Sequence, residues 1–99
     1  MDIKVERGEV IEGTNYFETY ARESLQKYFR NYPFIESIKV FFRGKNHPYK
    51  KVKLQARLKG KDIFVEGRGQ RHDMAIDAAS SKLRSQMEKY KTKHYNKAS

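Results

Sequence analysis

The segment Lys51–Lys59, KVKLQARLK, alternates without a break, setting Val52, Leu54, Ala56 and Leu58 against Lys51, Lys53, Gln55, Arg57 and Lys59. A period of two over this length is the mark of a strand with one face buried and the other in water. Such a strand belongs to a sheet covered on one side only, so the helices of the chain are expected to share that side. Two further segments repeat the pattern. Glu36–Arg43 places Ile38, Val40 and Phe42 inward and Lys39, Phe41 and Arg43 outward, while Asp62–Arg68 sets Ile63, Val65 and Gly67 against Phe64, Glu66 and Arg68. Asp2–Glu6, with Ile3 and Val5 on one side, suits a short first strand. Gly60-Lys61 marks a tight turn, and GKNHPY at Gly44–Tyr49 a longer loop.

Two segments follow the helical period instead. In His72–Lys93 the residues Ile76, Ala79, Leu83, Met87 and Tyr90 recur at spacings of three and four and form one apolar seam. Lys82, Lys89 and Lys93 line one flank of it, Arg84 and Lys91 the other. Asp73 and Asp77 open this helix and the lysines close it, the order its macrodipole favours. Dipole complement alone accounts for such a pattern as readily as a binding site does. The earlier helix is expected over Asn15–Asn31, with Thr14 as its N-cap and Pro33 as its stop. Phe17, Tyr20, Ala21, Ser24, Leu25, Tyr28 and Tyr32 cover its inner face; Arg22, Gln26 and Arg30 point away, and Lys27 lies at the border beside Tyr16 and Tyr20. The aromatics read as core, with base stacking by Tyr16 and Tyr20 the alternative. Gly8 and Gly13 bracket a turn-rich connection before this helix.

The element order is therefore β-α-β-β-β-α. A right-handed crossover makes the first two strands parallel and hairpins add the rest, which gives an α+β, double-stranded-RNA-binding-domain-like fold. It comprises a four-stranded mixed sheet with both helices on one face. The outer sheet face would carry Lys39, Phe41, Arg43, Lys53, Gln55, Arg57, Phe64 and Arg68. Solubility and edge protection explain such a face, with stacking on the phenylalanines the alternative.

Ninety-nine residues accommodate one domain, expected over 1–95, with 96–99 a disordered polar tail. The net charge of +10 is spread from Lys4 to Lys97 and draws polyanions, nucleic acid first and anionic membrane second. Without cysteine there are neither disulfides nor thiolate metal sites. No stretch reads as a secretory signal or approaches the roughly 18 apolar residues of a membrane span, so a cytoplasmic protein is expected.

Catalysis finds no footing in the motifs. His47, His72 and His94 stand in no ligand or triad spacing and read as surface histidines. Gly67-Arg68-Gly69 lacks the third glycine of a dinucleotide fingerprint, and GKNHPY is no P-loop. Asp73 and Asp77 could share a metal, but first-turn dipole complement explains them with less. The residues describe a binder that needs no cofactor or small-molecule substrate.

The closing segment AIDAASSKLRSQMEKYKTK resembles the final helix of the ribosome hibernation promoting factor and ribosome-associated inhibitor family, also labelled sigma-54 modulation proteins. Ala75-Ile76-Asp77, Lys82-Leu83, Gln86-Met87 and the alternating Lys89, Lys91 and Lys93 carry the likeness. Thr14, Phe17, Leu25 and Lys27 extend it to the first helix, and element order and length agree over nearly the whole chain. Ser24 and Ser85 stand where the family commonly has basic residues. The resemblance implies a short-form, non-enzymatic translation factor without the additional C-terminal domain through which long members pair ribosomes. It implies docking on rRNA in the decoding region of the small subunit, where the factor blocks mRNA and tRNA, and a monomer off the ribosome. The expected contacts are Arg22, Lys27 and Arg30 on the first helix and Lys82, Arg84, Lys89, Lys91 and Lys93 on the second. A generic structured-RNA-binding domain and a basic protein-interaction module are the alternatives.

Overall fold

The computed structural model of the protein describes residues 1–6, 14–44 and 48–95. The elements are β1 (Asp2–Glu6), α1 (Thr14–Tyr28), β2 (Ser37–Arg43), β3 (Lys50–Leu58), β4 (Lys61–Gly69) and α2 (His72–Tyr95). They build a four-stranded sheet in the order β1-β2-β3-β4. β1 pairs parallel with β2 in the register Ile3↔Ile38 and Val5↔Val40. β2–β3 and β3–β4 are antiparallel, with Val40↔Leu54 and Leu54↔Val65 opposite one another. The Gly8–Gly13 connection, His47 and residues 96–99 lie outside the described residues, as do the side chains of Thr14 and His94.

The alternation settles which face is covered. Ile3, Ile38, Val40, Phe42, Val52, Leu54, Ala56 and Leu58 are buried in one cluster with Ala21 and Leu25 of α1 and with Ala75, Ile76, Ala79, Leu83 and Met87 of α2. Both helices thus lie on one side of the sheet, as expected. β4 and β3 carry α2, and β1 carries α1. Lys59-Gly60 forms the two-residue β3–β4 turn, one position earlier than Gly60-Lys61, because Leu58 pairs with Lys61. Gly60 there has φ +71°, a conformation that glycine alone reaches without strain.

Gly67 does a different job. A Cβ on it would lie 2.3 Å from the Ala79 nitrogen and 2.4 Å from the Ala75 carbonyl oxygen. The missing side chain is what lets α2 rest its backbone on β4. Ala75 and Ala79 present small residues at the same contact, so helix and strand meet through three of the smallest side chains available.

Two further expectations need correction. α1 ends at Tyr28, not at Asn31, and the residue just past its end, Phe29, is buried (2% exposed) while Tyr28 is exposed. Hydrogen bonds from Tyr32 N to Phe29 O and from Ile35 N to Tyr32 O, both 3.1 Å, fold the chain past the helix end in successive turns. Those turns bring Phe29, Tyr32 and Ile35 inward together. Tyr28 is left on the α2 side, its ring under the Arg84 guanidinium. The second concerns His72, which is no surface histidine. It is 3% exposed, with its Nε2 donating to the Arg43 carbonyl at 2.9 Å and its ring between Phe17 and Phe42. It ties the start of α2 to the end of β2.

Candidate nucleic-acid interface

Side by side on the sheet, α1 and α2 enclose a groove lined by Lys27, Tyr28 and Tyr32 from the α1 side and by Asp77, Arg84, Glu88 and Lys91 from α2. Helical spacing puts Asp77, Arg84, Glu88 and Lys91 on the flank of α2 that faces α1. The carboxylates there are engaged by tyrosines: Tyr20 donates to Asp77 Oδ1 at 2.8 Å and Tyr32 to Glu88 Oε2 at 2.5 Å. Acceptance by Asp77 raises the Tyr20 pKa above its ordinary value. Burial, and then the bond to Glu88, raises that of Tyr32. The cations rest on rings. The Arg84 guanidinium lies 5.6 Å from the Tyr28 centroid and the Lys91 ammonium 5.9 Å from that of Tyr32. Hydrogen bonding to Tyr32 and Tyr28 favours charged Arg84 further.

The groove therefore sorts its charges. Asp77 and Glu88 are satisfied across the helix pair, while Lys27, Arg84 and Lys91 form no ion pair among the described residues. Three cations line one open channel, with net positive charge after both carboxylates are counted.

The other expected contacts fall elsewhere. Lys82 stands on the opposite flank of α2, above β4, and donates to the Glu66 carbonyl at 2.8 Å. That bond occupies one of its three N–H groups and caps an acceptor on the free sheet edge. Lys89 is exposed on the same flank by helical spacing. Lys93 continues the row in the backbone of α2, its side chain outside the described residues. Arg22 is on the far side of α1, and Arg30, expected on that helix, lies instead in the turn that follows its end at Tyr28. Arg22 is committed inward, donating to the Ile3 carbonyl at 2.6 Å and pairing with Glu18 at 3.5 Å. Arg30 is exposed beside Met1 and Gln26. The eight residues thus form three strips, and only Lys27, Arg84 and Lys91 share one groove. Sequence spacing separated the two flanks of α2 correctly. It carried no sign that Tyr20 and Tyr32 would hydrogen-bond Asp77 and Glu88, which stand 57 and 56 residues away.

Asp73 is accounted for by Arg71 at 3.1 Å and by the Met74 N–H at 2.8 Å. Among the described residues no helix is long and apolar enough to cross a membrane.

The family model described as sigma 54 modulation protein / S30EA ribosomal protein matches residues 6–95. The chain belongs to that family. S30EA proteins are ribosome-associated hibernation factors, not enzymes. Among solved structures, the chain is similar to a ribosomal subunit interface protein from Coxiella burnetii, with a TM-score of 0.77 and 22% identity over 93% of this chain and 99% of that one. It is also similar to the N-terminal domain of Thermus thermophilus Protein Y, with a TM-score of 0.68 and 19% identity over 91% and 99% of the two chains. At these identities the likeness is one of fold. No curated protein sequence matches the chain.

Proposed function

We propose that this S30EA protein docks its helical side on folded rRNA in the decoding region of the small ribosomal subunit and there blocks mRNA and tRNA. The observation that carries this reading is the groove in which Lys27, Arg84 and Lys91 keep their charges while the neighbouring carboxylates are taken up by tyrosines. Ring contacts hold two of those cations in place before any partner arrives, which lowers the ordering cost of binding. Lys82 and Lys89, with Lys93 beyond them, and Arg30 flank the groove on either side. A helical RNA surface offers phosphates and 2′-hydroxyls in its shallow groove and is recognised mostly through its shape. Three cationic strips on one rigid side suit such a surface. Each phosphate neutralised releases counterions, so association weakens steeply with salt.

Arg22 contributes chiefly by anchoring α1 to β1 and only secondarily by its charge. The factor acts as a monomer and needs no cofactor. Gradient sedimentation of the chain with purified subunits tests the proposal. The chain is expected to travel with small subunits at low salt and to be released at high salt. Joint replacement of Lys82, Lys89 and Lys93 by glutamate should abolish the association with the fold intact. Free migration of the wild-type chain, or equal binding to any isolated RNA duplex, would overturn the assignment.

A further inference from the structure

The sheet face turned away from the helices has a composition that solubility does not require. Phe64 is 54% exposed, and Tyr49, just before β3, is 40% exposed. The Lys53 ammonium lies 4.9 Å from the Phe64 centroid and 5.8 Å from that of Phe41. Arg43 approaches Phe41 at 5.8 Å, and Arg68 approaches Tyr49 at 5.4 Å. Register explains the grouping: Phe41 is opposite Lys53, Phe64 is opposite the neighbouring Gln55, and Arg43, Lys51 and Arg68 form the next cross-strand row. Glu66 is the carboxylate nearest this cluster in β2–β4, and it is paired with Arg68 at 3.9 Å.

Edge protection does not account for the centre of this cluster. β2 and β3 are interior strands, and it is their Phe41, Arg43 and Lys53 that form the centre of the cluster. Phe41 is half-buried between these cations, while Phe64 on β4 is 54% exposed and forgoes part of the about 1.5–3 kcal/mol that full burial of such a side chain provides. Flat rings interleaved with cations fit a ligand that presents alternating bases and phosphates. Four-stranded sheets with exposed aromatics hold two or three unpaired bases in this way, and stacking of this kind tolerates any base. A duplex hides the base faces these rings need.

We propose that the outer sheet face is a second RNA-binding surface, one that takes a short single-stranded segment. Bases stack on Phe64 and Phe41, with Tyr49 extending the platform, while Lys53, Arg43 and Arg68 meet the phosphates. The site is on the opposite side of the sheet from the groove and is independent of the docking proposed for the helices.

Fluorescence anisotropy of a labelled ten-nucleotide oligouridine RNA with the full chain at low salt tests it. Phe64→Ala and Phe41→Ala should each weaken binding about 5- to 150-fold, with the unfolding midpoint as a control for folding. The chain has no tryptophan, so Phe64→Trp supplies a unique reporter whose emission the oligonucleotide should quench. A Lys27→Gln/Arg84→Gln/Lys91→Gln variant should keep most of the oligonucleotide affinity while losing small-subunit affinity, which separates this site from the helical one. Absence of binding, affinity within twofold after removal of either ring, or unquenched indole emission from the Phe64→Trp variant in a bound complex would overturn the proposal. Equal affinity for a ten-base-pair RNA duplex, or displacement of the probe by polyglutamate as readily as by unlabelled oligouridine, would also overturn it.

Discussion

Gly67→Ala probes the packing that positions the whole binding side. The new Cβ would stand 2.3 Å from the Ala79 nitrogen, 2.4 Å from the Ala75 oxygen and 2.8 Å from the Ala79 Cα, all backbone atoms of α2. No rotamer change relieves such a contact, so α2 must lift from β4 by about 1 Å to restore a normal separation near 3.5 Å. Overpacking of a tight core costs about 1–3 kcal/mol, and a clash against fixed backbone belongs at the upper end. The lower entropy of the unfolded alanine chain returns about 0.4–1 kcal/mol. The net loss is therefore about 2 kcal/mol, a sizeable part of a domain stability of about 5–15 kcal/mol. For a chain of this length that lowers Tm by roughly 8–16 °C. Thermal and urea unfolding followed by circular dichroism measure it. Adding Ala79→Gly should not rescue the variant, because the obstructing atoms are backbone. A midpoint within about 3 °C of wild type would show that α2 does not approach β4 this closely.

Tyr20 and Tyr32 keep their protons more tightly in the folded than in the unfolded chain. Their bonds to Asp77 and Glu88 thus contribute fully below pH 10 and are lost as pH rises through the raised folded values. A Tyr20→Phe/Tyr32→Phe variant should show a shallower loss of stability above pH 10 than wild type in pH-dependent urea unfolding. Ser80 is buried and its hydroxyl has no hydrogen-bond partner among the described residues. Ser80→Ala also favours helix and should raise stability by about 1 kcal/mol, seen as a higher urea midpoint at unchanged m-value. Arg22→Ala should lower Tm by several degrees through loss of the Ile3 tether, while its affinity for small subunits, measured well below that Tm, falls less than for Arg84→Ala.

Periodicity made most of the fold legible, because each strand and helix is half-buried and its apolar spacing records which half. Lys51–Lys59 alone implied a sheet covered on one side, and the core confirms it. The misreadings came where burial depends on partners far away in the chain. Helical spacing extends α1 past Tyr28 because it does not register the two turns that follow, which draw Phe29 inward and leave Tyr28 against Arg84. His72 read as surface because the Arg43 carbonyl it satisfies belongs to another element. The same holds for the site: the cations were visible, but not which of them would be spent. Arg22 is consumed by β1, and Lys82 is shared with the edge of β4. Lys27, Arg84 and Lys91 became a group only when the two helices were laid together. The outer sheet face was legible in composition, while the ring-over-cation arrangement that distinguishes it emerged from the cross-strand register.

The central claim is that the groove between α1 and α2 engages phosphates through these three side chains. It is tested most directly by the salt dependence of affinity for purified small subunits, compared between wild type and a Lys27→Gln/Arg84→Gln/Lys91→Gln variant. Each lost phosphate contact lowers the slope of log K against log salt by about 0.7–1, so the variant should bind more weakly with a slope shallower by about 2–3. An unchanged slope, even with weaker binding, would contradict the account.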